Sequence, residues 1–146
     1  MIQMGADGKM DMLYEELGGK IIGAAMSVLN TLKPGLDEKL YENALVLEMR
    51  EAGLVADQQK QYPVEYRGQG IGNLIPDLIV EQKVIVDTKV AKAFDDNHIA
   101  QMIGYLTITG LDLGLLLNFK YAKQQWKRVA HSEASRDNPR NQRSIS

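Results

Sequence analysis

Two aspartates and a lysine stand where neighbouring strands would bring them together. Asp77 lies in an apolar segment with strand character, and Asp87 and Lys89 come late in the next such segment, KVIVDTKV. Because successive side chains on a strand point to opposite faces, Asp87 and Lys89 share a face, and a hairpin would bring Asp77 beside Asp87. Adjacent carboxylates need a cation, and Mg²⁺ takes oxygen ligands. The spacing therefore predicts a divalent metal site.

Two predicted helices carry polar pairs that could complete this site. Glu38 and Tyr41 are three residues apart on one helix face, and Gln101 and Tyr105 are four residues apart on another. Glu38 would supply a third carboxylate. The alternative is a structural role, in which the first pair is a solvated helix face with one packed ring and the second pair packs its helix.

The apolar pattern predicts an α/β fold with a mixed sheet of about five strands flanked by helices. Helices are expected from after Asp11 to the Pro34 break, over about 36–52 and over about 97–109. Strands are expected in QYPVEYRGQG, which closes in a hairpin turn, and over 73–80, 83–90, 113–119 and 125–130. The helix between the third and fourth strands indicates a parallel crossover, with the third strand inside the sheet.

Length and composition exclude several classes of protein and of active site. The 146 residues fit one domain, and the absence of cysteine excludes disulfides, thiolate metal sites and a cysteine nucleophile. We expect a flexible leader over 1–10, one domain over 11–131 and a disordered basic tail over 132–146. The start lacks the apolar core of a signal peptide, and no stretch approaches the roughly 20 apolar residues of a membrane span. A cytoplasmic protein, with no membrane partner, is the expectation.

Charge is unevenly distributed along the chain. From Lys120 onward the sequence has seven basic and two acidic residues, whereas residues 1–119 have ten basic and 17 acidic ones. An acidic body suits a cluster of carboxylates around a cation, and a basic segment can contact phosphates. A solvated, disordered end is the alternative for the last residues.

The order P-D and then D-x-K ten residues later resembles the motif of the PD-(D/E)xK nuclease superfamily. The matching positions are Pro76, Asp77, Asp87 and Lys89. The resemblance implies a restriction-endonuclease-like core. The relatives that this sequence resembles over most of its length usually have Glu in the E-x-K position, where this chain has the shorter Asp87.

A second resemblance involves the predicted helices. Gly35, Glu38 and Tyr41 spell G-x-x-E-x-x-Y, and the stretch HIAQMIGYLTITGLDLGLLLNF resembles the later part of the GxxExxY protein family. Some nuclease families of the superfamily also have the Q-x-x-x-Y helix of Gln101 and Tyr105. The likeness runs in order over about 12–130, and the sequence is identified as a member of this family.

The resemblance implies roles for the central residues. Glu38, Asp77 and Asp87 would hold one or two Mg²⁺ ions, for which Mn²⁺ can substitute. The ions would neutralise the scissile phosphate and lower the pKa of a bound water. Lys89 would orient or help deprotonate that water, or stabilise the transition state.

Supporting roles are implied for the surrounding residues. Gln101 would hold the lysine or contact a phosphate, and Tyr41 and Tyr105 would hydrogen-bond the substrate backbone or the carboxylates. His98 resembles a recurrent family position, although a place in the first turn of its helix is the simpler interpretation. A zinc site is not expected, because the only other histidine is His131.

Three functional hypotheses follow. The first is a metal-dependent nuclease that acts on nucleic acid, DNA in the first place, as a homodimer that would place two sites near two strands. The second is a catalytically silent module of nuclease fold that binds nucleic acid or a protein partner. Asp87 in place of Glu, and Leu29 where many relatives have His, favour it. The third, a purely structural oligomer, leaves the acidic cluster unexplained.

Overall fold

Three helices and seven strands make up the part of the chain that the structure, a computed structural model, describes: residues 5–130, with side chains from Tyr14 onward. The helices are α1 (Gly5–Leu32), α2 (Glu38–Glu51) and α3 (Asp96–Thr109). The strands are β1 (Ala56–Gln58), β2 (Tyr62–Tyr66), β3 (Gln69–Leu74), β4 (Leu78–Val80), β5 (Val84–Lys89), β6 (Leu113–Asn118) and β7 (Gln125–Ala130). Within residues 5–130, no helix has the length and apolar composition of a membrane-spanning segment.

The main sheet has the strand order β1-β4-β5-β6-β7. Strands β5 and β6 pair in parallel, with Lys89 opposite Asn118, and the other neighbours are antiparallel. Helix α3 is the crossover between the parallel strands, because parallel neighbours cannot be joined by a tight turn. The predicted mixed α/β fold of five strands is confirmed, and so are the parallel crossover and the interior position of β5.

The strands differ from the prediction in three places. The segment around Tyr62–Tyr66 does not join the main sheet and instead pairs with Gln69–Leu74 in a separate two-stranded hairpin. The predicted strand over 73–80 is interrupted around Pro76, which has no N–H to donate to a ladder. The fifth strand of the main sheet is β1, whose three residues are too few to give an alternating pattern.

Side chains of the central strand alternate between two layers. Val84 and Val86 of β5 face α1 and α2 in the larger hydrophobic core, whereas Ile85 faces α3 in a smaller one. A Cβ on Gly114 of β6 would collide with Met102 of α3, so this glycine lets the helix approach the sheet closely. Asp87 and Lys89 follow Ile85 in the alternation and therefore lie on the α3 side.

The structure tests the predicted leader and tail only in part. Helix α1 begins at Gly5, earlier than the start expected after Asp11, and so takes in 5–10 of the expected leader. Residues 1–4 and 131–146 lie outside the described residues, and the leader and the basic tail stay predictions.

Candidate active site

Asp77 and Asp87 are in direct contact. Leu78 of β4 pairs with Val86 of β5 in an antiparallel ladder, so the next pair outward is Asp77 with Asp87. The pKa of Asp77 is raised to about 7, first by burial and then by a hydrogen bond to Asp87 and repulsion from its charge. The backbone N–H of Thr88 donates to Asp77 and acts in the opposite direction. Two carboxyl groups in contact repel each other when both are charged, so a proton or a bound cation between them stabilises the pair.

Lys89 is held between Asp87 and helix α3. Its Nζ lies 3.1 Å from Oδ2 of Asp87 and donates a hydrogen bond of 3.3 Å to Oε1 of Gln101. The Asp87 side chain is only 5% exposed, and its Oδ2 accepts no hydrogen bond of good geometry despite the short distance to Nζ. This buried carboxylate oxygen has an ion-pair partner but no hydrogen-bond donor in good geometry, so its capacity to accept hydrogen bonds is not fully used.

Glu38 reaches the same end of β5 from the first turn of α2. Its carboxylate accepts a hydrogen bond from the backbone N–H of Val90. Burial of the carboxyl group raises its pKa, the Lys89 charge lowers it, and the charge of Asp77 raises it. The charges of Asp77, Lys89 and Glu38 therefore act on one another, although they come from a loop, a strand and a helix.

The turn before α2 fixes the position of Glu38. The Tyr41 hydroxyl donates to the carbonyl of Lys33 at 2.6 Å and accepts from the N–H of Leu36 at 3.0 Å. Gly35 has φ 116°, which other residues avoid. The Tyr41 ring is fully buried and stacks on Phe119 with 4.8 Å between centroids. Tyr41 thus positions Glu38 through the turn, and the expected contact with substrate is not available to a buried ring.

Helix α3 presents its polar pair to the strand. Gln101 accepts the hydrogen bond from Lys89. Tyr105 is half-buried, and its pKa is raised by burial and then by the charges of Asp87 and Asp77. The spacing of four residues therefore places both side chains on the face that covers the carboxylates.

His98 lies in the cap of α3 and not among the carboxylates. The N–H of His98 donates to Oδ1 of Asp95 at 2.9 Å, and Nδ1 of His98 accepts from the N–H of Asp95 at 3.1 Å. This reciprocal capping box satisfies two backbone donors at the helix start. The structure agrees with the simpler interpretation of His98 as a residue of the first helical turn.

Sequence reasoning missed two buried polar residues beside the site. Glu42, 3% exposed, accepts from Lys39 at 3.1 Å and from Gln58 at 2.8 Å, which ties α2 to β1. Asn118, 1% exposed, ends β6 next to Lys89 and holds the chain that follows β5. A polar residue that ends the apolar run LGLLLN was the available signal for Asn118. Glu42, one helical turn after Glu38, gave none.

The donor chemistry fits a hard divalent cation at the aspartate pair. In the part of the chain that is described, no group of three or more acidic or histidine side chains is arranged to hold a metal ion. Asp77 and Asp87 nevertheless supply adjacent oxygen donors, and the buried Oδ2 of Asp87 lacks a directed hydrogen bond. Mg²⁺ is commonly bound through one or two carboxylates with water and substrate oxygens, which needs no larger protein cage.

A mixed sheet with P-D before one strand and D-x-K in the next defines the class of protein. The sequence profile of the PD-(D/E)XK nuclease superfamily matches residues 15–129. The chain belongs to this superfamily.

Three solved structures are similar to this chain. SSO0001 is 12% identical with a TM-score of 0.52, and the match covers 67% of this chain and 54% of SSO0001, so the chain spans about half the length of that protein. An alkaline exonuclease (LHK-Exo) from Laribacter hongkongensis gives 12% identity and a TM-score of 0.46 over 80% of this chain and 81% of its own. Its complex with dAMP gives 11% identity and 0.46 over 85% and 87%. No curated protein sequence matches significantly.

Proposed function

We propose that this protein is a metal-dependent nuclease that hydrolyses phosphodiester bonds in nucleic acid, with DNA as the first substrate to test. The observation that carries the proposal is the contact of Asp77 and Asp87 with Lys89 beside them, at the end of a central strand. Membership of the PD-(D/E)XK nuclease superfamily supports it. A structural ion pair would not require a second carboxylate whose pKa is raised to about 7.

Asp77 and Asp87, joined by Glu38, are the proposed ligands of Mg²⁺, for which Mn²⁺ can substitute. The bound ion would neutralise charge on the scissile phosphate and lower the pKa of a coordinated water. The proposal needs Asp77 to lose its proton, because a carboxylate and not a carboxylic acid binds the metal. Glu38 is already held toward the site by the N–H of Val90.

Lys89 is proposed to act on the reacting phosphate. Asp87 and Gln101 hold its ammonium in place. A positive charge would therefore already be positioned where negative charge develops in the transition state. Gln101 is a positioning residue in this scheme. The hydroxyl of Tyr105, close to both aspartates, can donate to a carboxylate or to a phosphate oxygen.

Finer assignments belong to the same proposal. We propose membership of the GxxExxY family on Gly35, Glu38 and Tyr41, and the turn that the glycine and the tyrosine shape before the glutamate supports this proposal. A homodimer would present two such sites to the two strands of a duplex. A cytoplasmic location remains the expectation from the sequence.

The second candidate is a silent module of nuclease fold that binds nucleic acid or a protein. The observation that favours it is the absence of a three-ligand group among the described residues. Asp87, one methylene shorter than the usual Glu, is paired with Lys89 and would have to turn toward a metal. Metal binding separates the two candidates, because a ligand of the native state raises the melting temperature.

The test is cleavage of end-labelled nucleic acid. Wild-type protein and an Asp77→Ala, Asp87→Asn double variant are incubated with Mg²⁺ or Mn²⁺ and with single-stranded, duplex and branched DNA and RNA. We expect cleavage by the wild type alone, and melting curves show that both proteins are folded. If no form is cut and neither ion raises the wild-type melting temperature, the nuclease proposal is wrong and the silent module gains support.

A further inference from the structure

Three lysines lie in the loops that leave the carboxyl ends of the parallel strands. Lys92 follows β5 by three residues, and Lys120 and Lys123 belong to the loop between β6 and β7. All three are exposed, and none of them forms an ion pair among the described residues. We call Lys92, Lys120 and Lys123 the cationic ridge.

The two loops of the ridge are tied together by Asn118. Its Oδ1 accepts from the N–H of Ala91 and the N–H of Lys120, both at 3.1 Å, and its Nδ2 donates to the carbonyl of Ala91 at 2.7 Å. Nδ2 also donates to Gln125 at 3.1 Å. A buried amide with this many partners holds the backbone of both loops in one arrangement.

Two further hydrogen bonds hold the loops of the ridge in place. The Tyr121 hydroxyl donates to the carbonyl of Lys92 at 3.0 Å, which joins the two loops a second time. Gln124 donates from Nε2 to the carbonyl of Asn118 at 2.8 Å and closes the loop between β6 and β7. The lysine stems therefore start from fixed backbone, whereas an ordinary surface lysine is often carried by a mobile loop.

The ridge is continuous with the candidate active site. The N–H of Phe119 donates to the carbonyl of Lys89 at 2.8 Å, and Val90, which donates to Glu38, directly precedes Ala91. Three residues of extended chain span at most about 10 Å, so Lys92 begins within about 10 Å of Lys89. That distance is about three nucleotides of one strand at roughly 3.4 Å each.

The charges along this segment favour an anion. Along the sequence, the acidic residues closest to Lys92 are Asp95, the N-cap of α3, and Asp96 in its first turn, and Oδ1 of Asp95 accepts a hydrogen bond from the N–H of His98. Residues 1–119 as a whole carry more Asp and Glu than Lys and Arg, whereas the segment from Lys120 onward is basic. A polyanion would therefore be attracted to the ridge and to the basic segment and repelled by the acidic part of the chain, which favours a path along the ridge.

We infer that the cationic ridge binds the sugar-phosphate backbone of the nucleic acid whose scissile phosphate lies at Asp77, Asp87 and Lys89. This inference rests on the proposed function and adds the path of the strand. Ligands of open α/β sheets bind outside the carboxyl ends of the strands, where the ridge lies. Contacts to phosphate fix the register of a strand without reading its bases.

The test measures binding of a fluorescein-labelled oligonucleotide, single-stranded or duplex, in Ca²⁺ at several KCl concentrations. The variant is Lys92→Ala with Lys120→Ala. Each lost phosphate contact should reduce the slope of log affinity against log salt by about 1, so the double variant should lose about 2. Lys92→Arg with Lys120→Arg should keep the wild-type slope, because the charge is retained.

A control pair removes the same charge elsewhere. Lys20 on α1 and Lys83, just before the opposite end of β5, are exposed and line one pocket together. Lys20→Ala with Lys83→Ala should leave the slope unchanged. The inference is overturned if the ridge variant keeps the wild-type slope, if both alanine pairs reduce it equally, or if the wild type binds no oligonucleotide.

The proposed function is tested separately in the same samples. Hydrolysis of a small phosphodiester, thymidine 5′-p-nitrophenyl phosphate, by the wild type in Mn²⁺ needs no extended strand. A wild type that binds oligonucleotide through the ridge and hydrolyses nothing supports this inference and counts against the nuclease proposal. If the wild type hydrolyses the ester and the ridge variant binds the oligonucleotide as the wild type does, the nuclease proposal is supported and the inference about the ridge is overturned.

Discussion

The two faces of the main sheet differ although the same strands supply both. Under α1 and α2 lies a continuous apolar core that includes Leu45, Val86 and Leu115, all without solvent exposure. Under α3 the apolar cluster is smaller and gives way, at one end, to Asp87 and Lys89. The first face is filled with apolar side chains, and the second carries Asp77 and Tyr105, whose pKa values are raised mainly by burial.

This difference separates stability from chemistry. Burial of large apolar side chains is the main favourable contribution to folding, and it is concentrated on the first face. Adjacent carboxylates on the second face repel each other and work against folding. Tyr41 connects the two, because its ring packs in the core while its hydroxyl shapes the turn that carries Glu38. The predictions below test this separation from the largest expected effect to the smallest.

Asp87→Asn should abolish cleavage while the fold is kept. The change removes one charge from the proposed metal site, so we expect a loss of about 10³-fold or more in kcat/KM, equivalent to several kcal/mol of transition-state stabilisation. The fall in the free energy of unfolding should be smaller than the roughly 3–5 kcal/mol typical of a buried ion pair that loses one partner, because relief of repulsion by Asp77 offsets part of the lost attraction of Lys89. Urea unfolding and cleavage rates check both. A variant that still cleaves would remove Asp87 from the catalytic residues.

Leu115→Ala should have the opposite pattern. Leu115 is fully buried in the larger core, and truncation should cost about 2–5 kcal/mol in the free energy of unfolding. Leu47→Ala is the control, since Leu47 is 68% exposed and its loss should change stability by about 0.5 kcal/mol or less. Urea unfolding measures both. If folded Leu115→Ala protein also loses its Mg²⁺-dependent rise in melting temperature, the two faces are not separable.

Tyr41→Phe should affect both faces. Loss of the hydroxyl leaves the N–H of Leu36 and the carbonyl of Lys33 without this partner, at a cost of about 1–3 kcal/mol. Glu38 should then be held less firmly, and Mg²⁺ should raise the melting temperature by less. Tyr66→Phe, on a ring that is 62% exposed, is the matched control and should change neither quantity. An unchanged response to Mg²⁺ would show that the turn does not govern Glu38.

Gln101→Ala should reduce activity more gently than the loss of a carboxylate. Gln101 accepts from Lys89 and fixes its ammonium, and loss of such an outer partner typically costs about 10–100-fold. Thr107→Ala, also exposed on α3, serves as control, because its hydroxyl donates only to the carbonyl of Ile103. Cleavage rates over a range of substrate concentrations would distinguish a lost orientation, seen in kcat, from weaker binding, seen in KM.

The stabilisation by Mg²⁺ should grow with pH. The pKa of Asp77 is raised from its ordinary value of 3.8 to about 7, so in metal-free protein this group stabilises the fold at low pH and the contribution is lost as the pH rises through about 7. Mg²⁺ competes with that proton. The rise in melting temperature on adding Mg²⁺ should therefore be larger at pH 8 than at pH 6. Equal rises at both pH values would show that Asp77 is not a ligand.

The arrangement of the site residues on the α3 side of the main sheet could largely be predicted from the sequence. Alternation along β5 places Asp87 and Lys89 on one face, and helical spacing does the same for Gln101 and Tyr105. The short connection after β4 indicates the pairing that sets Asp77 opposite Asp87. These relations depend on periods of two and of three to four residues, which are local properties of the chain.

Contacts between segments that are far apart in the sequence were decided by the tertiary structure alone. The sequence carries no sign that the hairpin of β2 and β3 stands apart from the main sheet or that β1 completes it. Nor does it show that Val90 donates to Glu38, or that Asn118 joins two loops 27 residues apart. Such contacts depend on how layers pack and on strand register over long separations, which local pattern does not encode. The sequence by itself therefore determined which residues could do chemistry, and the packing of α2 and β6 against β5 determined how they meet.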